Sequence, residues 1–276
     1  MTNSSNDLLV VTGAASGIGR AMVKAAVARG THVLALDVQD VASELENEHQ
    51  NAPGELSFMR CDVSAPKDWK QVAATLKKMG PPTQIHLNAG IQIAPPEAPL
   101  SDYEFESMQL DRYRRMMGVN VDGVVFGLQA LLPLCQSGTA IVVTSSLAGI
   151  TPYTVDPLYA MSKHAVSGLV RSLGPILGKR GIKINAICPG GIDTAIIPHA
   201  QRTQLDDPEN PVDTSSLMTP EHVADEVNYL MTVEETGKTW AKLHQNKPVY
   251  IIRAPGDRGP KEQDPRNPRA NPSNSS

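Results

Sequence analysis

The chain alternates short runs of apolar and β-branched residues with longer segments in which apolar positions recur at helical spacing. Such alternation is typical of a parallel sheet covered by helices on both faces, because parallel strands need long crossover connections. The sequence therefore predicts an α/β fold, a single-domain Rossmann-like doubly wound parallel sheet of about seven strands. The predicted strands are LLVVT, HVLALD, LSFMRC, QIHLN, TAIVVTS, IKINAIC and VYIIR, and the predicted helices cover 17–29, 41–49, 67–78, parts of 102–135, and 157–178.

The two ends of the chain differ in composition from the part between them. Residues 1–6 are polar and residues 257–276 are rich in Pro, Asn and Ser, so we expect a flexible N-terminus and a disordered tail. Residues 7–256 form the predicted catalytic domain. Within it, the segment 190–219 is rich in Pro and Asp and is long for a strand-to-helix connection, which predicts a lid over the substrate.

Charge and cysteine content narrow the class of partner. The 276 residues carry a formal net charge of −4, which gives no broad basic field for nucleic acid or for an anionic membrane. We expect a small-molecule partner, no nucleic acid, no membrane association and no secretory leader. Cys61, Cys135 and Cys188 show no CxxC spacing and their odd number cannot pair fully, so we predict reduced thiols in a cytoplasmic protein, and no metal site.

The turn after the first predicted strand reads TGAASGIG over residues 12–19 and opens a helix. Small residues let the backbone approach a pyrophosphate, whose charge is met by the N–H groups and the dipole of the helix N-terminus. We therefore expect a phosphate-binding turn; the alternative is a plain strand-to-helix turn. The residues expected to contact the dinucleotide here are Gly13, Ser16, Gly17, Ile18 and Gly19.

Asp37 ends the second predicted strand. A carboxylate at this position accepts hydrogen bonds from the adenosine ribose hydroxyls and repels a 2′-phosphate. Since no Arg or Lys stands at Ser16 or directly after Asp37, the sequence favours NAD over NADP. The alternative role of Asp37 is to cap the following helix or turn.

Two further strand ends are expected to touch the cofactor. Asp62 and Val63 follow the third strand and are placed to meet the adenine edge. Asn88, Ala89 and Gly90 end the fourth strand, where small residues allow close packing against the dinucleotide. Both segments are also compatible with ordinary turn chemistry.

Tyr159 and Lys163 stand four positions apart in a predicted helix and so share one face. An ammonium beside a phenol favours the phenolate, so we expect Lys163 to lower the pKa of Tyr159, making it a general acid or base, and to hold the nicotinamide ribose. Ser146, just past the fifth strand, is expected to donate to the substrate oxygen and fix it near Tyr159. Its neighbour Ser145 competes for this role, and either serine is otherwise an ordinary strand-end residue.

Asn120 is an amide in the helical stretch MMGVNVDGVVFG, where an apolar residue would suit the helix. One role for it is to bind a water that links Lys163 to bulk solvent and gives the proton a path out. The alternative role is that of a buried structural hydrogen bonder.

In their order and spacing these segments resemble the short-chain dehydrogenase/reductase family over about residues 7–255. The resemblance implies that the loop starting at Pro189 and Gly190 binds the cofactor, with Ile192 and Thr194 contacting the nicotinamide carboxamide and phosphates. It also implies a homo-oligomer, a homodimer or homotetramer. The catalytic set that it implies is Asn120, Ser146, Tyr159 and Lys163.

One departure from the family pattern is visible. The usual NNAG is here His86-Leu87-Asn88-Ala89-Gly90, so Leu87 replaces the first Asn. The replacement affects the expected local hydrogen bonding and leaves the catalytic set intact.

The function these features predict is an NAD-dependent oxidoreductase that interconverts a secondary alcohol and its ketone. Candidate pocket residues are mostly apolar, which favours an apolar or ring-bearing substrate. The alternatives are redox-neutral epimerase or dehydratase chemistry at the same site, and a non-catalytic NAD(H)-binding regulator. The candidate pocket residues are Gln92, Ile93, Leu147, Tyr153 and Val155, with Ile196, Ile197 and His199 in the predicted lid.

Overall fold

The computed structural model describes residues 7–93, 105–193 and 217–253, and within them the chain forms one eight-stranded sheet. The strands are β1 (Leu8–Thr12), β2 (His32–Asp37), β3 (Leu56–Arg60), β4 (Gln84–Leu87), β5 (Ala140–Thr144), β6 (Lys183–Pro189), β7 (Thr239–Lys242) and β8 (Tyr250–Ile252). Their spatial order is β3-β2-β1-β4-β5-β6-β7-β8. All neighbouring pairs are parallel except β7 and β8, which are antiparallel.

The helices follow the strands in alternation, as the sequence pattern predicts. They are α1 (Gly17–Ala28), α2 (Ala42–His49), α3 (Pro66–Met79), α4 (Leu110–Met117), α5 (Gly123–Leu131), α6 (Pro157–Gly178) and α7 (Pro220–Leu230). A π-helical segment, Gly118–Asp122, joins α4 to α5.

Alternate side chains of each strand enter two separate cores. Leu9 and Val11 of β1 pack in one layer with apolar residues of α1 and α7, whereas Leu8 and Val10 pack in the other with α3, α5 and α6. Because both faces of the sheet are buried, its strands are almost continuously apolar. The predicted single-domain, doubly wound α/β fold is confirmed.

The sheet has one strand more than the sequence pattern indicated. The missed strand is β7, with the sequence TWAK, and the last predicted strand, VYIIR, corresponds to β8 and runs antiparallel to it. The pattern failed at β7 because the strand is short and its Lys242 is buried. The Lys242 ammonium donates to Glu226 Oε1 at 2.6 Å and to the Lys247 carbonyl at 2.6 Å, which offsets the burial of its charge.

Several expectations fall on residues outside the described ranges. These are the flexible N-terminus at 1–6, the tail at 257–276 and the larger part of the lid, 194–216. Among the helices of the described ranges, none has the length and apolar character that crossing a membrane requires.

Two glycines of α6 should respond in opposite ways to alanine. A Cβ at Gly174 would overlap Cα of Gly237 in the turn before β7, whereas a Cβ at Gly168 meets no atom within 4 Å. Gly174→Ala should therefore lower the free energy of unfolding by about 1–3 kcal/mol through overpacking. Gly168→Ala, the matched control, should raise it by about 0.5–1 kcal/mol because alanine favours a helix.

Urea denaturation of the two variants and the wild type measures both effects. Equal stabilities for Gly168→Ala and Gly174→Ala would contradict the close packing of α6 against that turn.

Candidate active site

The carboxyl ends of β1, β4 and β5 lie side by side and bring polar groups to one edge of the sheet. Val11 of β1 pairs with His86 of β4, which in turn pairs with Val142 of β5. Just past these positions, Thr12 Oγ1 accepts the backbone N–H groups of Asn88 and Ala89 at 2.8 and 3.1 Å. The first and fourth strand ends are thereby fixed to each other.

The glycine turn has a shape that only glycine allows. Gly13 and Gly17 adopt φ angles of 68° and 53°, and a Cβ on Gly19 would overlap the Gly13 carbonyl oxygen. Among the described residues no side chain caps α1 at Ser16, and no acidic residue stands in its first turn. The first N–H groups of this helix are therefore open to an anion, as the predicted phosphate turn requires. Ile18 is buried in the apolar core on the α1 side of the sheet.

Asp37 lies against the same turn. Its Oδ2 accepts the Ala15 N–H at 2.9 Å and its Oδ1 accepts the Gln39 N–H at 2.9 Å, while the side chain is almost buried. Each carboxylate oxygen has a further lone pair, so the group can also receive ribose hydroxyls. The structure thus shows the turn-stabilising alternative for Asp37, and the ribose contact stays a prediction with which this geometry is compatible. Together, the glycine cradle and this carboxylate fit a dinucleotide.

Asp62 and Val63 are held by contacts of their own loop. Asp62 Oδ1 accepts from the backbone and hydroxyl of Ser64 at 2.9 and 2.7 Å. The Val63 carbonyl accepts Trp69 Nε1 at 2.8 Å, and its side chain packs on Gly123 of α5. The turn chemistry weighed above is present, and the adenine contact stays a prediction.

Asn120 and Lys163 both approach the backbone at Gly90. A Cβ there would lie 3.1 Å from Lys163 Nζ and 3.4 Å from Asn120 Oδ1. The Asn120 amide accepts the Ile91 N–H at 2.8 Å and donates to the Ile91 carbonyl at 2.9 Å and to Ser162 Oγ at 3.0 Å. These bonds show the structural role weighed for Asn120; it sits in the π-helical segment and fixes the chain that leaves β4.

The two adjacent serines face different partners. Ser145 is buried, donates to the Lys163 carbonyl at 3.0 Å and bonds to Ser167 Oγ at 2.9 Å. The Ser146 side chain lies near the Tyr159 hydroxyl, where it favours the phenolate, and its Oγ accepts the Ala148 N–H at 3.2 Å. The structure therefore brings Ser146, and not Ser145, to the phenol.

The pKa of Tyr159 is shifted in the direction opposite to the one expected from its spacing to Lys163. Burial raises the pKa of Tyr159 well above its ordinary value, and the nearby Ser146 side chain only partly opposes this. Lys163 Nζ lies 5.7 Å from the Tyr159 ring centroid and donates to the Thr144 carbonyl at 3.0 Å. Burial also lowers the pKa of Lys163, to about 8. The expectation rested on the spacing of the two residues alone and took no account of the desolvation of both groups.

Sequence reasoning missed Asp156, which is fully buried at the start of α6. Its Oδ1 accepts the Tyr159 N–H at 2.8 Å and its Oδ2 accepts the Ile93 N–H at 3.3 Å. Burial raises the pKa of this carboxyl, and the backbone N–H bonds oppose the shift. The sequence did contain a signal, because an Asp followed by Pro157 is typical of a helix N-terminus. Asp156 joins the Tyr159 helix to the segment after β4.

The loop after β6 lies at the same edge of the sheet. Gly190 donates its N–H to the Lys242 carbonyl at 2.8 Å, directly after Pro189 ends β6. Ile192 forms a bridge with Met218, and Thr194 lies outside the described residues. In the described ranges, no group of three or more His, Cys, Asp or Glu side chains is arranged to hold a metal ion.

Comparisons with known proteins agree with this geometry. Residues 7–205 match the model of the short chain dehydrogenase family. The chain is 35% identical over 204 residues, 72% of its length and 78% of the relative's, to a 2,5-dichloro-2,5-cyclohexadiene-1,4-diol dehydrogenase of Sphingobium indicum. It is 34% identical over 202 residues, 72% of its length and 70% of the relative's, to a 3beta-hydroxysteroid dehydrogenase of Mediterraneibacter gnavus.

A solved structure shares this fold over most of the chain. The crystal structure of levodione reductase aligns with a TM-score of 0.73 at 27% identity, covering 86% of this chain and 95% of that protein. The homo-oligomer and the cytoplasmic location stay predictions.

Lys163 should lower the stability of the protein prepared without dinucleotide. Its ordinary pKa of 10.5 falls to about 8 on burial, so between these values the unfolded chain binds more protons and wild-type stability rises with pH. Lys163→Met should therefore raise the urea midpoint at pH 7, and the gain should shrink as pH increases from 8 to 10.5. The control Lys179→Met, at the exposed end of α6, should give no such gain. A pH-independent difference for Lys163→Met would contradict a desolvated ammonium.

Proposed function

Because the chain belongs to the short-chain dehydrogenase family, we propose that it is an NAD-dependent oxidoreductase that interconverts a secondary alcohol, on an apolar or cyclic skeleton, and its ketone. The observation that carries the proposal is the placement of the Ser146 side chain beside the Tyr159 hydroxyl, with Lys163 over the Tyr159 ring and Gly90 against the Lys163 ammonium. A regulator that only binds dinucleotide has no need for a buried phenol of this kind.

The hydroxyl groups of Ser146 and Tyr159 both donate hydrogen bonds to the substrate oxygen. Since Ser146 Oγ already accepts the Ala148 N–H, its own proton is available to an oxygen placed between the two hydroxyls. Two donors then orient that oxygen and stabilise the charge that develops on it.

Tyr159 exchanges the proton. Its raised pKa keeps the phenol protonated and suits it to donate to a ketone oxygen. In the oxidative direction Tyr159 first releases its proton to solvent, and the nearby Lys163 cation stabilises the phenolate that remains. The phenolate then takes the proton of the alcohol and returns to the neutral phenol. NAD, when bound, supplies the hydride acceptor.

The surroundings of Tyr159 support a ring-bearing substrate. Tyr153 stands edge-on to Tyr159, with ring centroids 6.0 Å apart, and Ile93 and Leu158 belong to the same apolar cluster. Apolar and aromatic walls with a few convergent hydroxyls are typical of pockets for apolar ligands. Two similar proteins are named as a cyclohexadiene-diol dehydrogenase and a hydroxysteroid dehydrogenase, which also favours a cyclic alcohol.

The electrostatics around Asp37 support NAD. Arg20 of α1 donates to the Ala15 carbonyl, beside the turn that Asp37 contacts, but is paired with both Glu44 and Glu48 of α2. A 2′-phosphate would therefore meet the Asp37 carboxylate without an unpaired Arg20 to neutralise it. Arg60 pairs with Asp37 in the strand register and donates to the Val38 carbonyl at 3.0 Å.

The activity is tested with a panel of cyclic alcohols, cyclic diols, hydroxysteroids and open-chain hydroxy acids, incubated with NAD while reduced nicotinamide is followed by absorbance. We expect turnover of ring-bearing secondary alcohols. Tyr159→Phe should lose about 100-fold to 10,000-fold in kcat while it keeps its affinity for NAD. Full activity of Tyr159→Phe would overturn the assignment. Consumption of substrate without net reduction of NAD would point to redox-neutral chemistry instead.

Cofactor choice is tested by Asp37→Ser. Loss of the carboxylate should weaken NAD binding by about tenfold or more, because charged hydrogen bonds to the ribose disappear, and should improve NADP binding beside Arg60. Calorimetric titration with each dinucleotide gives both affinities. The control Asp40→Ser removes an exposed carboxylate from the same connection and should leave their ratio unchanged. A wild type that prefers NADP would refute the choice of NAD.

A further inference from the structure

His86 is a fully buried polar residue in the middle of the sheet. It lies on β4 in register with Val11 and Val142, and its side chain is 0% exposed. Burial lowers its pKa to about 3, so the imidazole is neutral at physiological pH. Its Nε2 lies 2.8 Å from Thr144 Oγ1, whereas its Nδ1 has no partner within the described part of the chain.

The hydrogen bonds that connect His86 to Thr12 have donor and acceptor roles that can be assigned one after another. Asn88 Nδ2 donates to the Thr12 carbonyl at 3.2 Å, which leaves Asn88 Oδ1 as an acceptor for the Thr144 hydroxyl at 3.1 Å. Since the Thr144 proton is used there, Thr144 Oγ1 accepts from His86, which fixes the Nε2–H tautomer. The unpartnered Nδ1 then carries only a lone pair. Burying this acceptor without a partner costs less free energy than burying an N–H donor without one.

This chain of hydrogen bonds ends in the glycine turn. A Cβ on Gly13 would lie 3.1 Å, and one on Gly19 2.9 Å, from Asn88 Nδ2. The Asn88 amide therefore occupies the space that the two glycines leave open. A rotated amide would place its oxygen against the Thr12 carbonyl, and the turn would have to shift.

The same residues account for the departure at Leu87. Leu87 points into the apolar core shared with α3 and α5, so it makes no polar contact at the position where the family pattern has Asn. His86, its neighbour on the opposite face of the strand, provides a polar anchor instead.

We propose that His86 is a positioning residue for dinucleotide binding: acting through Thr144, it holds the Asn88 amide in the orientation that shapes the glycine turn. The proposal rests on the dinucleotide role of that turn within the proposed function. It does not depend on the identity of the alcohol.

The test compares the affinities of three single variants and of the double variant His86→Leu/Thr144→Val for NAD and for ADP-ribose, which lacks the nicotinamide, by calorimetric titration. His86→Leu and Thr144→Val each break the chain and should raise both dissociation constants by about tenfold. His86→Gln retains an N–H donor and should restore affinity to within about threefold of wild type. The double variant should bind no worse than either single variant, since both break the same chain.

The control is Ile85→Val, on the same strand but facing the other core, which should lower stability without changing either dissociation constant. Wild-type affinity in both His86→Leu and Thr144→Val would overturn the proposal, as would affinity losses that simply follow the loss of melting temperature in all variants, Ile85→Val included. Normal dinucleotide binding without alcohol oxidation would refute the proposed function and leave the role of His86 standing. A wild type that binds neither NAD nor ADP-ribose would overturn both.

Discussion

The parallel pairing of β1, β4 and β5 is the constraint on which the site depends. In this register the three strands end together, so Thr12, Asn88 and Thr144 meet at one edge and bond to one another. A slip of one residue would turn these side chains to the opposite face of the sheet. Once this edge has formed, packing of α6 against it brings Lys163 to Gly90 and Tyr159 to Ser146.

Several polar side chains of the site lower the stability of the fold, because burying them costs desolvation free energy. His86, Asp156 and Lys163 are all buried, and in the ranges that the structure describes no ion pair joins any of them. Each is held by hydrogen bonds to backbone or hydroxyl groups, which recover part of the desolvation cost. Two apolar cores on either side of the sheet supply the stability that makes this arrangement possible.

Sequence patterns predicted the parts of the molecule that rest on periodicity and spacing. The bounds of α6 matched the predicted helix 157–178. The glycine turn and the pair formed by Tyr159 and Lys163 were identified because residues that are neighbours along one helix or turn are necessarily close in space. Contacts between distant segments were beyond such reasoning. Asp156 reaches Ile93 and Ser146 reaches Tyr159 only after folding, and the pKa of Tyr159 depends on burial that no local pattern records.

The antiparallel strand β8 also affects how the molecule behaves in a crowded solution. A strand at the border of a sheet presents unpaired N–H and C=O groups that can template pairing with a foreign chain. Because β8 covers β7, the strand that supports the loop after Pro189 is protected on both sides, and the border shifts to the three residues Tyr250–Ile252. An edge strand this short presents few backbone groups for pairing with another chain, so this side of the sheet is protected against aggregation.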